Sequence, residues 1–221
     1  MKILAIETSG NTCGAALVCD TEIITEQNIF LPKKSSSKIF EIINGITKKH
    51  RFDAVAVDTG PGSFTGIRIG ISLARVFGQF LKIPVVGISS LDCLVYSAIQ
   101  GINFTSRIFP IVDAFREEVY TAQYTGLKRE TEYKIVKISN LEKLAGKKSV
   151  LAGEPEILKK IATETNFMET NFICVQQLAS TVGFLAYKKF KKKENITGGY
   201  ETVLPLYIRH AYVDEQKKIN R

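Results

Sequence analysis

The residues whose types and spacing most readily suggest chemistry lie in GPGSFTGIRIG, Gly60 to Gly70. Three glycines and a proline ahead of a helical pattern imply unusual dihedrals and close backbone approach. Ser63 or Thr65 can cap the helix that follows. Amides at a helix start after a glycine-rich loop can hold an anion, with Gly60, Gly62 and Ser63 around it. A purely structural loop is the competing reading. No lysine follows these glycines in Walker A spacing, and Thr65 stands where a Rossmann fingerprint needs its third glycine. The other reactive types mainly exclude. His50 and His210 form neither HExxH nor HxxxH, and no GxSxG is present. Cys13, Cys19, Cys93 and Cys174 form no CxxC pair, so they read as free, mostly buried thiols. No metal site is expected.

The helix after the loop carries a second pattern. Gly66, Gly70, Ala74 and Gly78 recur every four residues, flanked by Ile67, Ile71 and Phe77. Each interior glycine costs roughly 1 kcal/mol relative to alanine in an exposed helix, so the stripe needs a packing reason. It packs either on the chain's own sheet or on a helix of another subunit. The run Lys188, Lys189, Lys191, Lys192 and Lys193 is read first as a solvated helix end, and second as a surface for nucleic acid.

The elements that position these residues follow from periodicity. ILAI (3–6) is a buried strand, AALVC a second, and 22–30 a third. Ile39, Ile42, Ile43 and Ile46 mark a helix over 37–49. Strands at 53–58 and 85–89 alternate with helices at 65–81 and 90–100. After a composition break at 100–106, strands are expected at 107–113, 118–124, 131–138 and 149–153, and helices at 155–164 and 177–192. The pattern predicts an α/β fold with mixed sheets in two lobes, 1–104 and 105–221, with a polar tail from about 213. The 221 residues are 45% hydrophobic and 24% charged with net charge +8, a globular composition rather than a disordered or rod-like one. No apolar run reaches the ~20 residues of a membrane span, and the N-terminal apolar stretch is too short for a signal peptide. A cytoplasmic protein is expected.

GPGSFTGIRIGISLARVFG, preceded by VAVDT and followed by IPVVGISSLDCL, resembles the bacterial TsaB (YeaZ) family. ILAIETSGNTCGAAL resembles that family's first two strands. VDAFREEVY (112–120) resembles its second-lobe motif, and PLYIR (205–209) its C-terminal one. The resemblance spans nearly the whole chain, and the GPGSFTG block is its most specific part. It implies the actin-like ATPase (sugar kinase/Hsp70, ASKHA) fold. It also implies a non-catalytic subunit for making threonylcarbamoyladenosine in tRNAs that read ANN codons. The implied partners are a catalytic TsaD-type homologue and a TsaE-type ATPase, with tRNA met through the complex. Pairing through first-lobe helices would make Gly66, Ile67, Gly70, Ile71, Ala74, Phe77 and Gly78 the interface.

Enzymes of that fold hold ATP between two strand–turn–strand loops rich in Asp-x-Gly. Here the first loop is Glu7-Thr8-Ser9-Gly10, and the second is Asp113-Ala114-Phe115-Arg116, with bulky Phe115 where space is needed. Glu7 and Asp113 are read as turn and cap residues before magnesium ligands, so no tightly held cofactor is expected. ATP with magnesium at a shared complex interface is left open. The chain departs from the family at SSSK (35–38), where His-Ser is common, and at Phe115 and Glu117, where Arg and Gly are usual. The alternative function is an ATP-dependent phosphotransferase with Glu7 and Asp113 facing across a cleft. A peptidase has the least support. Self-pairing on the small-residue helix would give a homodimer competing with the heterodimer.

Overall fold

A computed structural model describes residues 1–30, 38–100, 106–192 and 199–208. Lys193, Arg209, His210, the polar tail and most of the SSSK segment lie outside them. The first sheet is built from β1 (Lys2–Glu7), β2 (Thr12–Cys19), β3 (Glu22–Phe30), β4 (Ala54–Asp58) and β5 (Val85–Ile88), ordered β3-β2-β1-β4-β5. The first three strands form an antiparallel meander, and β4 and β5 join parallel to β1. Connecting them are α1 (Ile39–Thr47), α2 (Phe64–Leu81) and, after β5, α3 (Ser90–Ala98).

Alternation along β1 sorts its side chains between two cores. Leu4 and Ile6 pack with Ile42 and Ile43 of α1 and Ile67 and Ile71 of α2. Ile3 and Ala5 face the other way, onto Ala179, Val182 and Ala186 of α6 (Ala179–Lys192). Alanines at 5, 16, 54 and 56 keep that second face shallow. Gly183 lets α6 close on it, since a β-carbon there would stand 2.7 Å from Val18 Cγ2.

The second sheet contains β6 (Arg107–Asp113), β7 (Glu118–Thr121), β8 (Tyr124–Thr125), β9 (Lys128–Arg129), β10 (Lys134–Lys137), β11 (Val150–Gly153) and β12 (Phe172–Cys174). Its main order is β10-β7-β6-β11-β12, with the small β8–β9 hairpin attached to β6. One face is covered by α4 (Leu141–Ala145) and α5 (Pro155–Glu164) around Phe109, Leu151 and Ile161. Val95 and Ala98 of α3 cover the other, around Tyr124 and Ala152.

The expected division at 104/105 separates the two sheets but leaves α6 in the second lobe. In the structure α6 lies on β1 and β2 of the first sheet, and residues 199–208 return to α2. Apolar residues of helical period do not say which sheet they cover. The short elements β8, β9, α4 and β12 escaped the sequence reading. Each is five residues or fewer, too short for a period to show. Among the described residues, no helix is long and apolar enough to cross a membrane, and no three His, Cys, Asp or Glu cluster as metal ligands.

Candidate functional site

The GPGSFTG loop joins β4 to α2 and is clasped onto the β1–β2 corner. The Ser63 amide donates to the Ser9 carbonyl at 2.7 Å, and Thr8 Oγ1 donates to the Gly66 carbonyl at 2.7 Å. Ser63, rather than Thr65, caps α2, its Oγ accepting from the Gly66 amide at 3.2 Å. Gly60 has φ +94°, a backbone region that favours glycine. A β-carbon at Gly62 would run into the Ser9 carbonyl, and one at Gly66 into the Thr8 carbonyl. The amides of Gly60, Ser63 and Gly66 therefore serve protein oxygens.

Beneath the clasp lies a polar cluster that the sequence did not announce. Glu7 and Asp58 are both fully buried. The Ser9 amide and hydroxyl donate to Glu7 Oε1 at 2.6 and 2.7 Å. The Ser90 hydroxyl and the Gly60 amide donate to Asp58 Oδ1, each at 2.6 Å. Glu7 Oε2 and Asp58 Oδ2 are buried and, among the described residues, meet no N–H or O–H donor. The two carboxyl groups neighbour each other, and one shared proton satisfies both. Burial, and then the charge of Asp58, holds the Glu7 carboxyl well above its ordinary range, while burial also raises Asp58. Protonated Glu7 donating to ionised Asp58 is the form this geometry favours. Asp58 ends an apolar strand just before the glycine loop, which is the one sequence signal that could have drawn attention to it.

Glu7 therefore does not face Asp113 across a cleft, because burial closes it off. Asp113 is exposed at the second corner, where its Oδ1 accepts from the Phe115 amide at 2.8 Å, a local turn contact. Between the lobes lies a cavity of about 660 Å³, reached by Ser9, Gly62, Ser63, Asp113 and Phe115. Glu154, Glu156 and Gln177 also line it, and Asn11 Nδ2 donates to Glu154 Oε2 and Glu156 Oε2, each at 2.9 Å. Among the described lining residues there are three carboxylates and no lysine or arginine. Glu7, the carboxylate of the first corner, is buried away from this cavity, and the exposed Phe115 lines it beside Asp113. The described lining offers no lysine or arginine to pair with the phosphates of a nucleotide.

The helix α2 corrects the expectation for its small-residue stripe. Gly66, Ile67, Gly70, Ile71, Ala74 and Gly78 are buried against the chain's own strands. At Gly70 an added β-carbon would stand 2.5 Å from Thr8 Oγ1 and 3.3 Å from Val57 Cγ2. Phe77 is half-buried and packs edge-on against Phe52, with ring centroids 5.6 Å apart. The stripe allows close approach to the sheet, so it does not present a seam to another subunit. What α2 turns outward was missed: Ile69 and Leu73 half-buried, Val76 at 49% exposure and Phe80 at 77%. On the same layer α1 exposes Phe40 at 67%. A helix apolar on both sides was the available signal. Residues 199–208 strap α2 in place. Arg75 Nε donates to the Val203 carbonyl at 3.0 Å, and the Arg68 guanidinium sits 3.8 Å from the Phe64 ring centroid and donates to Tyr207 Oη.

Comparison with known proteins gives consistent results. The family model described as TsaD, tRNA N6-adenosine threonylcarbamoyltransferase, matches residues 39–213. The chain is 37% identical over 129 residues to the tRNA threonylcarbamoyladenosine biosynthesis protein TsaB of Bacillus subtilis, covering 56% of this chain and 55% of that one. It is 34% identical over 177 residues to TsaB of Buchnera aphidicola, covering 74% of this chain and 82% of that one. It spans about half the length of the Bacillus protein and of TsaB from Escherichia coli, which it matches at 33% identity. The solved structure of YeaZ from Pseudomonas aeruginosa superposes with a TM-score of 0.75 at 19% identity, over 93% of this chain and 99% of that one, which shows the fold. The two lobes of mixed sheet are those of the actin-like ATPase fold. The chain belongs to the TsaB family, within the wider group that the TsaD model describes.

Proposed function

We propose that this TsaB-family chain is a non-catalytic subunit in the formation of threonylcarbamoyladenosine on tRNA. It acts in the cytoplasm by pairing with and activating a TsaD-type homologue. The observation that carries this reading is the outer face of α2. The helix is held firmly on its sheet by the small-residue stripe and the 199–208 strap, yet it leaves Val76 and Phe80 in water. Burying one such side chain in an interface contributes about 1.5–3 kcal/mol. The rest of the geometry agrees with a subunit that does no chemistry of its own, since Glu7 is sealed and the described lining of the cavity between the lobes offers no lysine or arginine to a phosphate. A TsaE-type ATPase would join the pair, and a second copy of this chain would compete for the same α2 face.

The test is co-purification with the TsaD-type protein of the same organism. Wild type should bind, and Val76→Glu/Phe80→Glu should lose at least about a hundredfold in affinity, as loss of a central apolar anchor does. Its melting temperature should not change. Gly70→Leu is unsuitable as a probe because the added side chain meets Thr8 and Val57 inside the molecule. Undiminished binding by the double variant would move the interface. Failure of the wild type to bind, with ATP turnover by the chain alone, would favour the phosphotransferase alternative.

A further inference from the structure

The lysine run of α6 gains neighbours in the fold that its sequence position does not suggest. Lys188, Lys189 and Lys192 line a pocket of about 480 Å³ together with Arg129 from the β8–β9 hairpin and Tyr133 just beyond it. The Arg129 guanidinium lies 4.0 Å from the Tyr133 ring centroid, and Lys188 Nζ lies 4.5 Å from that of Tyr96. Lys189 Nζ donates to the Gly87 carbonyl at 3.0 Å, which fixes it at the inner wall. Among the described lining residues the one carboxylate is Asp92, whose Oδ1 accepts from Tyr124 Oη at 2.5 Å and Tyr133 Oη at 3.2 Å. Glu132 acts on Arg129 from outside the pocket, and Glu130 is paired with Lys128. Among the described residues, no salt bridge joins Arg129, Lys188 or Lys189 to a carboxylate. Arg129, Lys188 and Lys189 thus line one pocket with a single described carboxylate, which two phenols already occupy.

The geometry points to this pocket as a binding site for the phosphodiester backbone of RNA, formed jointly by α6 and the β8–β9 hairpin. A planar guanidinium stacked on a tyrosine, beside flexible lysines, is a suitable arrangement for phosphates and for the bases next to them. Lys188 and Lys192 stand one helical turn apart, about 6 Å along the axis. The charge therefore extends past a single phosphate, which favours a strand over a free anion. Location adds a second argument. The pocket lies on the α6 side of the first sheet, and the outer face of α2 lies on the other side, so a partner on α2 leaves it open. Calling the RNA tRNA rests on the function proposed above, while the binding itself does not.

The experiment uses the full chain alone and a labelled, unmodified transcript of a tRNA reading an ANN codon, titrated at several salt concentrations. Lys188→Ala/Lys192→Ala should weaken binding about tenfold and lower the salt slope by about 1.5 units, and adding Arg129→Ala should lower both further. All these side chains are exposed, so the fold should hold, with circular dichroism as the check. Lys48→Ala/Lys49→Ala removes the same charge at the end of α1, across the sheet, and should leave the slope unchanged. Equal weakening by both pairs would mean that binding follows net charge, and would overturn the site. Unchanged tRNA binding in the triple variant would overturn it as well. Inorganic phosphate is the second probe. Arg129-dependent phosphate binding without any effect on tRNA would assign the pocket to a small anion and overturn the RNA reading. Because partner binding does not enter this assay, failure of the proposed pairing is scored separately. Val76→Glu/Phe80→Glu should bind tRNA as wild type does.

Discussion

The β1–β2 corner and the β6–β7 corner occupy corresponding places in the two lobes and are built in opposite ways. At the first, Glu7, Thr8 and Ser9 are buried, and the Gly60–Gly66 loop closes over them through backbone hydrogen bonds. At the second, Asp113 and Phe115 are exposed, and Phe115, Arg116 and Glu117 have φ of +61°, +54° and +61°. The first corner removes its carboxylate from water and sets it beside a second buried carboxyl, Asp58. The second leaves its carboxylate in water and carries the strain of three consecutive left-handed residues. A fold that elsewhere holds phosphates between two such corners here has one sealed and the other occupied by a phenylalanine. The difference shows how two topologically equivalent turns diverge when only one is locked by a third segment.

The largest effect should come from opening the lock. Gly66→Val would drive a side chain into the Thr8 carbonyl, which is backbone and cannot swing aside. A loss of about 3 kcal/mol or more in urea unfolding is expected, at the upper end of overpacking costs. Gly126→Ala in the second lobe meets open space, and with φ +56° it should cost only about 1 kcal/mol. Equal losses would erase the contrast between the two lobes.

Next in size is the pH dependence of the sealed corner. Glu7 and Asp58 have raised pKa values when folded, so the native state binds protons that the unfolded chain has released. Their stabilisation is complete below the ordinary carboxylate range and is lost as pH rises towards the folded values. For one proton the slope approaches about 1.4 kcal/mol per pH unit. Glu7→Gln keeps a donor to Asp58 and should flatten that slope. Unfolding curves taken from pH 5 to pH 9 would show it, and identical slopes in the two proteins would mean that the pair shares no proton.

The smallest effect belongs to the strained corner. Phe115→Gly should stabilise the protein by about 0.5–1 kcal/mol, since glycine adopts positive φ without a β-carbon clash. A measured loss would show that the exposed ring makes contacts that outweigh the backbone strain.

Much of the framework was legible from local pattern. Ile39, Ile42, Ile43 and Ile46 mark α1, and all four are buried. Leu4 and Ile6 alternating with Ile3 and Ala5 mark a strand covered on both faces. Pro155 opens α5, and Ser63 caps α2. The family was legible too, because GPGSFTG needs glycine where Thr8 and Ser9 press against its backbone. These features are decided within a few residues, by periodicity, capping and backbone sterics, and the amino-acid sequence by itself carries them.

The rest was decided between segments far apart in the chain. Glu7 and Asp58 share a site because β1 and β4 are adjacent strands, although 51 positions separate the two residues. The stripe on α2 satisfied two readings equally until the sheet lay against it, and only then did Val76 and Phe80 become the outer face. Arg129 and Lys188 line one pocket because the β8–β9 hairpin and α6 both reach it beside Asp92 and Val95 of α3. Periodicity says that a face is buried or charged, but not what it meets. Partners are chosen by packing and desolvation summed over the whole fold, so they exist only once the chain has closed on itself.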